Sequence, residues 1–210
     1  MVGPNGPWRE HGARAKVDVR PRVRVLPSSA HGWEAILAPM SLLHLFPDWP
    51  QHASRLRDAV VGLTSGQLLL RAGPDNDPVW AIAAHCAGTR VYWLCGVFGE
   101  PGAERTPFTD PVSGDGWEDD PDHPRTGDEL AWALDSTFEV VQGVLDRWTV
   151  DDLALTAERR WGDTLQTHTR ASVLGRLITH DAFHAGEISQ LLGLHGLGSI
   201  DLWRRTPPQP

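Results

Sequence analysis

The chain of 210 residues contains little cysteine, with Cys86 and Cys95 as its only two. They lie nine positions apart in a stretch that we expect to be helical. This spacing puts the two side chains on opposite faces of a helix, so they cannot pair with each other. The sequence therefore predicts no disulfide framework, and we expect a cytoplasmic protein.

The chain also lacks an excess of positive charge, since its formal net charge is −8 at pH 7. A general nucleic-acid binder needs a basic surface that neutralises phosphates. We therefore expect no nucleic acid as a partner.

Long hydrophobic runs are missing as well. The longest extends from Ile36 to Phe46 and is interrupted by Pro39 and His44, which is too short for a membrane span of about 20 residues. The run begins late for a signal peptide and lacks a following small-residue cleavage site. We expect neither a membrane partner nor secretion.

The two ends differ in composition from the middle of the chain. Residues 1–35 are rich in glycine, proline and arginine without a period, which predicts a disordered basic arm. Residues 201–210 predict a short disordered tail. We expect one domain over residues 36–200.

Within that domain, hydrophobic periodicity predicts four amphipathic helices. Their approximate limits are 48–70, 77–98, 128–148 and 172–195, and the third has the clearest apolar stripe. Asp77-Pro78 predicts the start of the second helix, and Ser172 predicts the N-cap of the fourth.

The connections between these helices are long. Residues 99–125 show no period and predict a loop, whereas the segments on either side of Gly162-Asp163 predict a short β-hairpin. The sequence therefore predicts an all-α protein, a four-helix bundle with long inter-helix connections.

Histidines supply the strongest functional signal. His180 and His184 are four residues apart in LITHDAFHAGEISQLL, which places both imidazoles on one face of a helix, one turn apart. A pair with this spacing is a weak signal alone, since buried histidines also occur without a metal.

His85 strengthens that signal. It lies within the second predicted helix on a face of small residues, which allow another helix to approach. It could meet His180 and His184 across the bundle and complete three nitrogen ligands for a divalent metal ion. Three protein ligands leave a coordination position open, as in catalytic sites. Imidazole suits several metals, of which we expect zinc or nickel first.

The motifs WAIAAH…GTRVYWL and HDAFHAGEISQLL resemble the DinB-like superfamily over roughly residues 48–196. That superfamily includes bacillithiol-dependent transferases and the metal-binding domain of mycothiol-dependent maleylpyruvate isomerase. The resemblance implies that His85, His180 and His184 are the metal ligands. It also implies a four-helix bundle, often a homodimer, that acts in thiol chemistry rather than in DNA binding.

One departure from that resemblance affects the expected reaction. The isomerase has a further C-terminal domain that contributes to its active site, whereas about 15 residues follow the last predicted helix here. We therefore do not expect isomerase activity of that type.

These observations favour a metal-dependent S-transferase whose partners are a small thiol and an electrophilic substrate, as in detoxification. A metal ion lowers the pKa of a bound thiol or water. Glu187 could orient a histidine ligand, and Tyr92 could donate a proton or a hydrogen bond. The alternatives are a solvent-facing Glu187 and a core Tyr92. A carboxylate on either partner could be bound by one of several arginines, namely Arg90, Arg159, Arg160 and Arg170.

Two other functions are compatible with the sequence. The same site could activate water in a hydrolase, although Asp181 replaces the glutamate that a zincin peptidase would have. Alternatively, the bundle is a non-catalytic, metal-stabilised stress-response module.

Overall fold

The computed structural model describes residues 41–112 and 116–203. The predicted basic arm at 1–35 lies outside these residues, as does most of the predicted tail. Residues 201–203 are described, and they lie against the bundle: Leu202 packs on the core, and the Trp203 ring is 4.6 Å from that of His52.

The protein is mostly helical, which confirms the predicted all-α class. Four long helices form the bundle: α1 (Trp49–Val61), α3 (Val79–Val91), α4 (Gly127–Arg147) and α5 (Arg170–Leu194). A short helix, α2 (Ser65–Leu68), connects α1 to α3. Helix α4 packs on α1 and α3, and α5 packs on the same two helices from the other side. No helix within the described ranges is long and apolar enough to cross a membrane.

The apolar stripes predicted from periodicity form the core. In α4 the whole predicted stripe is buried, with the members Leu130, Leu134, Phe138, Val141 and Leu145. Helix α3 is buried on almost all sides, and after Val91 its turns widen into a π-helical segment, Tyr92–Val97. Cys86 and Cys95 are both free thiols, as expected from their spacing.

The predicted first helix is wrong in its extent. It was expected to continue to residue 70, but α1 ends at Val61 and Gly62 follows it. Thr64 then starts α2 with a capping box, in which its hydroxyl accepts from the Gln67 amide while the Gln67 side chain accepts from the Thr64 amide. This reciprocal cap starts a separate helix.

The other helix limits differ from prediction by one or two residues. Helix α3 is preceded by Pro78 rather than capped by Asp77. Helix α5 begins at Arg170, because the Thr169 hydroxyl accepts a hydrogen bond from the Ser172 amide. Ser172 is therefore inside the first turn and is not the N-cap.

The predicted hairpin is confirmed between α4 and α5. Strand β1 (Thr156–Trp161) pairs antiparallel with β2 (Thr164–Thr169). Gly162 adopts φ +56° at the turn, a left-handed conformation that glycine tolerates without a steric cost. The hairpin lies beside the π-helical end of α3.

The long connection between α3 and α4 is ordered by an aromatic anchor. A first 3-10 turn in this connection is Ala103–Arg105, and a second is Trp117–Asp119. The second turn carries the anchor. The Trp117 ring lies 5.7 Å from Phe108 and 6.1 Å from Trp132, and the Arg125 guanidinium lies 4.7 Å from it. These contacts hold the turn against the bundle beside α3.

A buried ion pair connects α3 to α5. Arg90 is fully buried and donates to Asp181 Oδ2 from Nε (3.2 Å) and Nη2 (3.0 Å), and to the Leu134 carbonyl (3.0 Å). Trp49 Nε1 donates to the same carboxylate oxygen at 3.2 Å. Helices α4 and α5 therefore both contact Arg90 of α3, and α1 contacts its partner Asp181.

From the buried Arg90–Asp181 ion pair we predict that an Asp181→Ala variant is less stable than the parent. Removing the carboxylate leaves the Arg90 charge buried and uncompensated, which costs about 3–5 kcal/mol. We expect that loss in the free energy of unfolding, measured by urea denaturation with a chelator present. Asp146→Ala, at an exposed position of α4, is the control and should stay within about 0.5 kcal/mol of the parent. Equal stability of both variants would contradict this role.

Candidate metal centre

The three predicted histidine ligands lie together at the α3–α5 interface. His85 from α3 and His180 and His184 from α5 each offer a ring nitrogen, and these nitrogens lie within 4.8 Å of one another. The Nε2 atoms of His85 and His180 are 3.0 Å apart. The one-turn spacing on α5 and the small residues around His85 thus bring the rings to one point.

Two carboxylates lie behind two of these rings. His184 Nδ1 is 2.8 Å from Glu187 Oε2, and His85 Nδ1 is 3.3 Å from Glu118 Oε1. When Nδ1 donates to a carboxylate, the proton is fixed there and Nε2 keeps its lone pair. Both histidines are therefore oriented to present Nε2.

The electrostatics of the site favour neutral rings on α5. Burial, together with the nearby His184 and His85, lowers the pKa of His180 to about 3. Burial also lowers the pKa of His184, although Glu187 opposes that shift. For His85 burial acts in the same direction, but Glu118, Asp77 and Asp119 together outweigh it and the pKa is raised.

His180 shows that this arrangement fits a cation. Its Nδ1 is buried and has no hydrogen-bond partner among the described residues, while its Nε2 faces the Nε2 of His85. With the proton on Nδ1 of both rings, the Nε2 lone pairs of His85 and His180 point at each other across this short distance, which is unfavourable. A cation would accept the lone pairs of both Nε2 atoms. Zinc and nickel both suit an all-imidazole donor set.

A second candidate group is less suitable. Cys86, His180 and Asp181 also lie within 4.8 Å of one another. However, burial raises the pKa of the Cys86 thiol well above its ordinary value, and a metal needs the thiolate. The Asp181 carboxylate is buried, and its Oδ2 already accepts from Arg90 and Trp49, which makes it a poor base for a zincin-like peptidase.

Glu187 contacts His184, and its role in orienting a metal ligand stays a prediction. Glu118 was missed, because it comes from the loop between α3 and α4, which has no period. The tryptophan that precedes it was the available signal, since such a residue in a polar loop tends to pack on the domain. The Tyr92 hydroxyl accepts a hydrogen bond from Arg159 Nη1 at 3.0 Å.

Two of the arginines proposed for ligand binding, Arg90 and Arg170, pair with carboxylates of the protein itself. Arg90 is buried in the ion pair with Asp181, so its predicted role in binding a ligand is wrong. Arg170 contacts Glu100 at 3.2 Å and stacks on Trp148 at 4.1 Å. Arg160 is exposed and bonds only to the Asp163 carbonyl among the described residues.

Comparisons with known proteins agree with this architecture. The sequence profile of the DinB superfamily matches residues 49–188. The structure is similar to a DinB-like protein from Bacillus cereus, with a TM-score of 0.58 and 16% identity over 78% of this chain and 98% of that one. A comparison with curated proteins gives no match. At 16% identity, this structural similarity shows a shared fold and nothing about function.

The histidine cluster predicts the metal content of the purified protein. We expect about one divalent ion per chain in the parent and almost none in His180→Ala and His184→Ala, because each loses one of three ligands. The measurement is inductively coupled plasma mass spectrometry after desalting. His195→Ala, at the exposed end of α5, should retain the metal. Unchanged metal in the first two variants would rule out the site.

Glu118 predicts a graded effect on metal affinity. Carboxylates that orient a histidine ligand change affinity by about 10- to 100-fold, so Glu118→Gln should weaken binding by about tenfold. Competition with a chromophoric chelator measures this change. Asp122→Asn, an exposed carboxylate in the same loop, is the matched control. The same affinity in both variants would show that Glu118 does not support the site.

Proposed function

Since this chain belongs to the DinB superfamily, we propose that it uses a divalent metal ion held by His85, His180 and His184 to transfer a small thiol onto an electrophile. The observation that carries this proposal is the accessibility of the site. The side chain of His85 is 43% exposed, whereas a closed structural site buries its ligands. An exogenous molecule can therefore approach the converging nitrogens.

The surrounding residues suit this reaction. A divalent ion bound here would lower the pKa of a thiol and stabilise the thiolate. Glu118 and Glu187 orient the His85 and His184 rings, and their charges offset that of the ion. The Tyr92 hydroxyl accepts from Arg159 and so keeps its own proton free to donate. In the proposed reaction Tyr92 donates it to a polar group of the substrate.

The proposed step is a substitution that balances in atoms and charge. The thiol loses its S–H proton to water, and its sulfur forms a bond to an electrophilic carbon. The bond from that carbon to the leaving group breaks, and the leaving group departs with the electron pair. With a chloromethyl substrate the products are a thioether, chloride and a proton.

This function predicts metal-dependent conjugation of monochlorobimane, whose thioether is fluorescent. We expect at least one thiol among glutathione, N-acetylcysteine, bacillithiol and mycothiol to react faster with the metal-loaded protein than with the chelated protein. His184→Ala should abolish the difference and His195→Ala should preserve it. A rate no higher than the chelated control with every thiol would contradict the proposal. Ester hydrolysis without a thiol would favour a hydrolase instead.

A further inference from the structure

Two arginines share one tryptophan next to the metal centre. The guanidinium of Arg159, on β1, lies 4.6 Å from the Trp93 ring, and that of Arg176, on α5, lies 4.9 Å from it. Arg159 also lies 4.9 Å from the Trp161 ring. Cation–π contacts of this kind fix the planes of both guanidinium groups. We call Arg159, Arg176, Trp93 and Tyr92 the arginine patch.

The arginine patch adjoins the three histidines. Arg176 is four residues before His180, so it lies on the same face of α5, about 6 Å along the helix. Trp93 follows His85 at the end of α3. Helices α3 and α5 run antiparallel, since His85 meets His180 whereas Trp93 meets Arg176. Trp93 on the α3 side and Arg176 on the α5 side therefore lie beyond the histidines at the same end of the helix pair.

The charges of the arginine patch are not neutralised by the described part of the chain. Arg159 donates to the neutral groups Gln166 Oε1 (2.9 Å) and Tyr92 Oη (3.0 Å), and no described carboxylate pairs with it or with Arg176. Six other described arginines do pair with carboxylates: Arg57, Arg90, Arg105, Arg125, Arg147 and Arg170. Arg159 and Arg176 differ from these six in having no described carboxylate partner, although the chain has a net charge of −8.

The His168 ring packs beside the arginine patch. Its ring lies 4.8 Å from Trp93. Burial, and then the charges of Arg159 and Arg176, lower the pKa of His168. The ring is therefore neutral at pH 7, and the positive potential comes from the guanidinium groups.

We propose that Arg159 and Arg176 form an anion subsite that binds a carboxylate of the thiol substrate while its sulfur lies at the histidines. Guanidinium groups bind carboxylates through paired N–H donors. Arg176 is exposed and Arg159 is partly exposed, so a ligand can reach them. The assignment of the anion to the thiol rests on the proposed function, whereas the anion subsite itself does not.

The first experiment tests the subsite without a thiol. Malonate, a small dicarboxylate, is titrated into the full chain by calorimetry at low ionic strength. We expect binding that weakens with added salt, and Kd values at least tenfold higher in Arg159→Gln and Arg176→Gln. Arg160→Gln is the matched control, because successive strand residues point to opposite faces. Thermal midpoints verify that each variant is folded.

The outcomes of the malonate titration show whether Arg159 and Arg176 form an anion subsite. Weaker binding in both patch variants with an unchanged Arg160→Gln supports it. No binding of malonate by the parent would overturn it. An equal loss in Arg160→Gln would also overturn it, because the effect would then reflect net charge.

The second experiment tests whether the anion belongs to the thiol. Cobalt-loaded protein is titrated with 3-mercaptopropionate and 6-mercaptohexanoate and with the matching mercaptoalcohols, and sulfur-to-cobalt charge-transfer absorption reports binding. We expect one carboxylate thiol to bind about tenfold more tightly than its alcohol, and Arg176→Gln to remove that preference. Equal affinities for each carboxylate thiol and its matching alcohol would overturn the assignment of the anion to the thiol, while thiol binding itself would still be shown. No absorption change with any thiol would contradict the proposed function, and malonate binding would still decide the subsite.

Discussion

The buried contact between Arg90 and Asp181 determines how α3 and α5 meet. Asp181 directly follows His180, and Arg90 is little more than one turn beyond His85, so the ion pair lies next to the histidine cluster. A slip of either helix would separate the guanidinium from its carboxylate and leave two buried charges unpaired, which is prohibitively costly. The same contact that stabilises the bundle therefore keeps the three ring nitrogens in register.

Local patterns predicted most of the fold. The apolar stripe of α4, the hairpin at Gly162 and the one-turn spacing of His180 and His184 all follow from the period of a helix or a strand. Helix limits were less accurate because they depend on single hydrogen bonds, such as the one that the Thr169 hydroxyl accepts. A cap shifts a boundary by one or two residues without changing the period.

The unpredicted parts of the site come from long-range contacts. Glu118 reaches His85 because Trp117 anchors an aperiodic loop, and no spacing along the sequence encodes that contact. Arg90, in contrast, was proposed from the sequence as a ligand-binding residue, but the structure gives it another role. As an arginine near a histidine it was a reasonable ligand-binding residue, but its place on the buried side of α3 makes it structural. Whether an arginine faces a cleft or a core depends on which neighbours surround its helix, and this is a property of the packed bundle.

The helices and their connections contribute differently to the chemistry. The helices supply the buried ion pair and the three histidines, which are close enough together to hold a metal ion. The connections supply Glu118, from the loop before α4, and Arg159, from the hairpin before α5. Negative charge therefore lies behind the histidines, and positive charge lies beside them on the arginine patch. Under the proposed function, changes in these two surface connections would alter the substrate while the packing of the buried helices stays the same. Many folds carry different functions through sites of this kind.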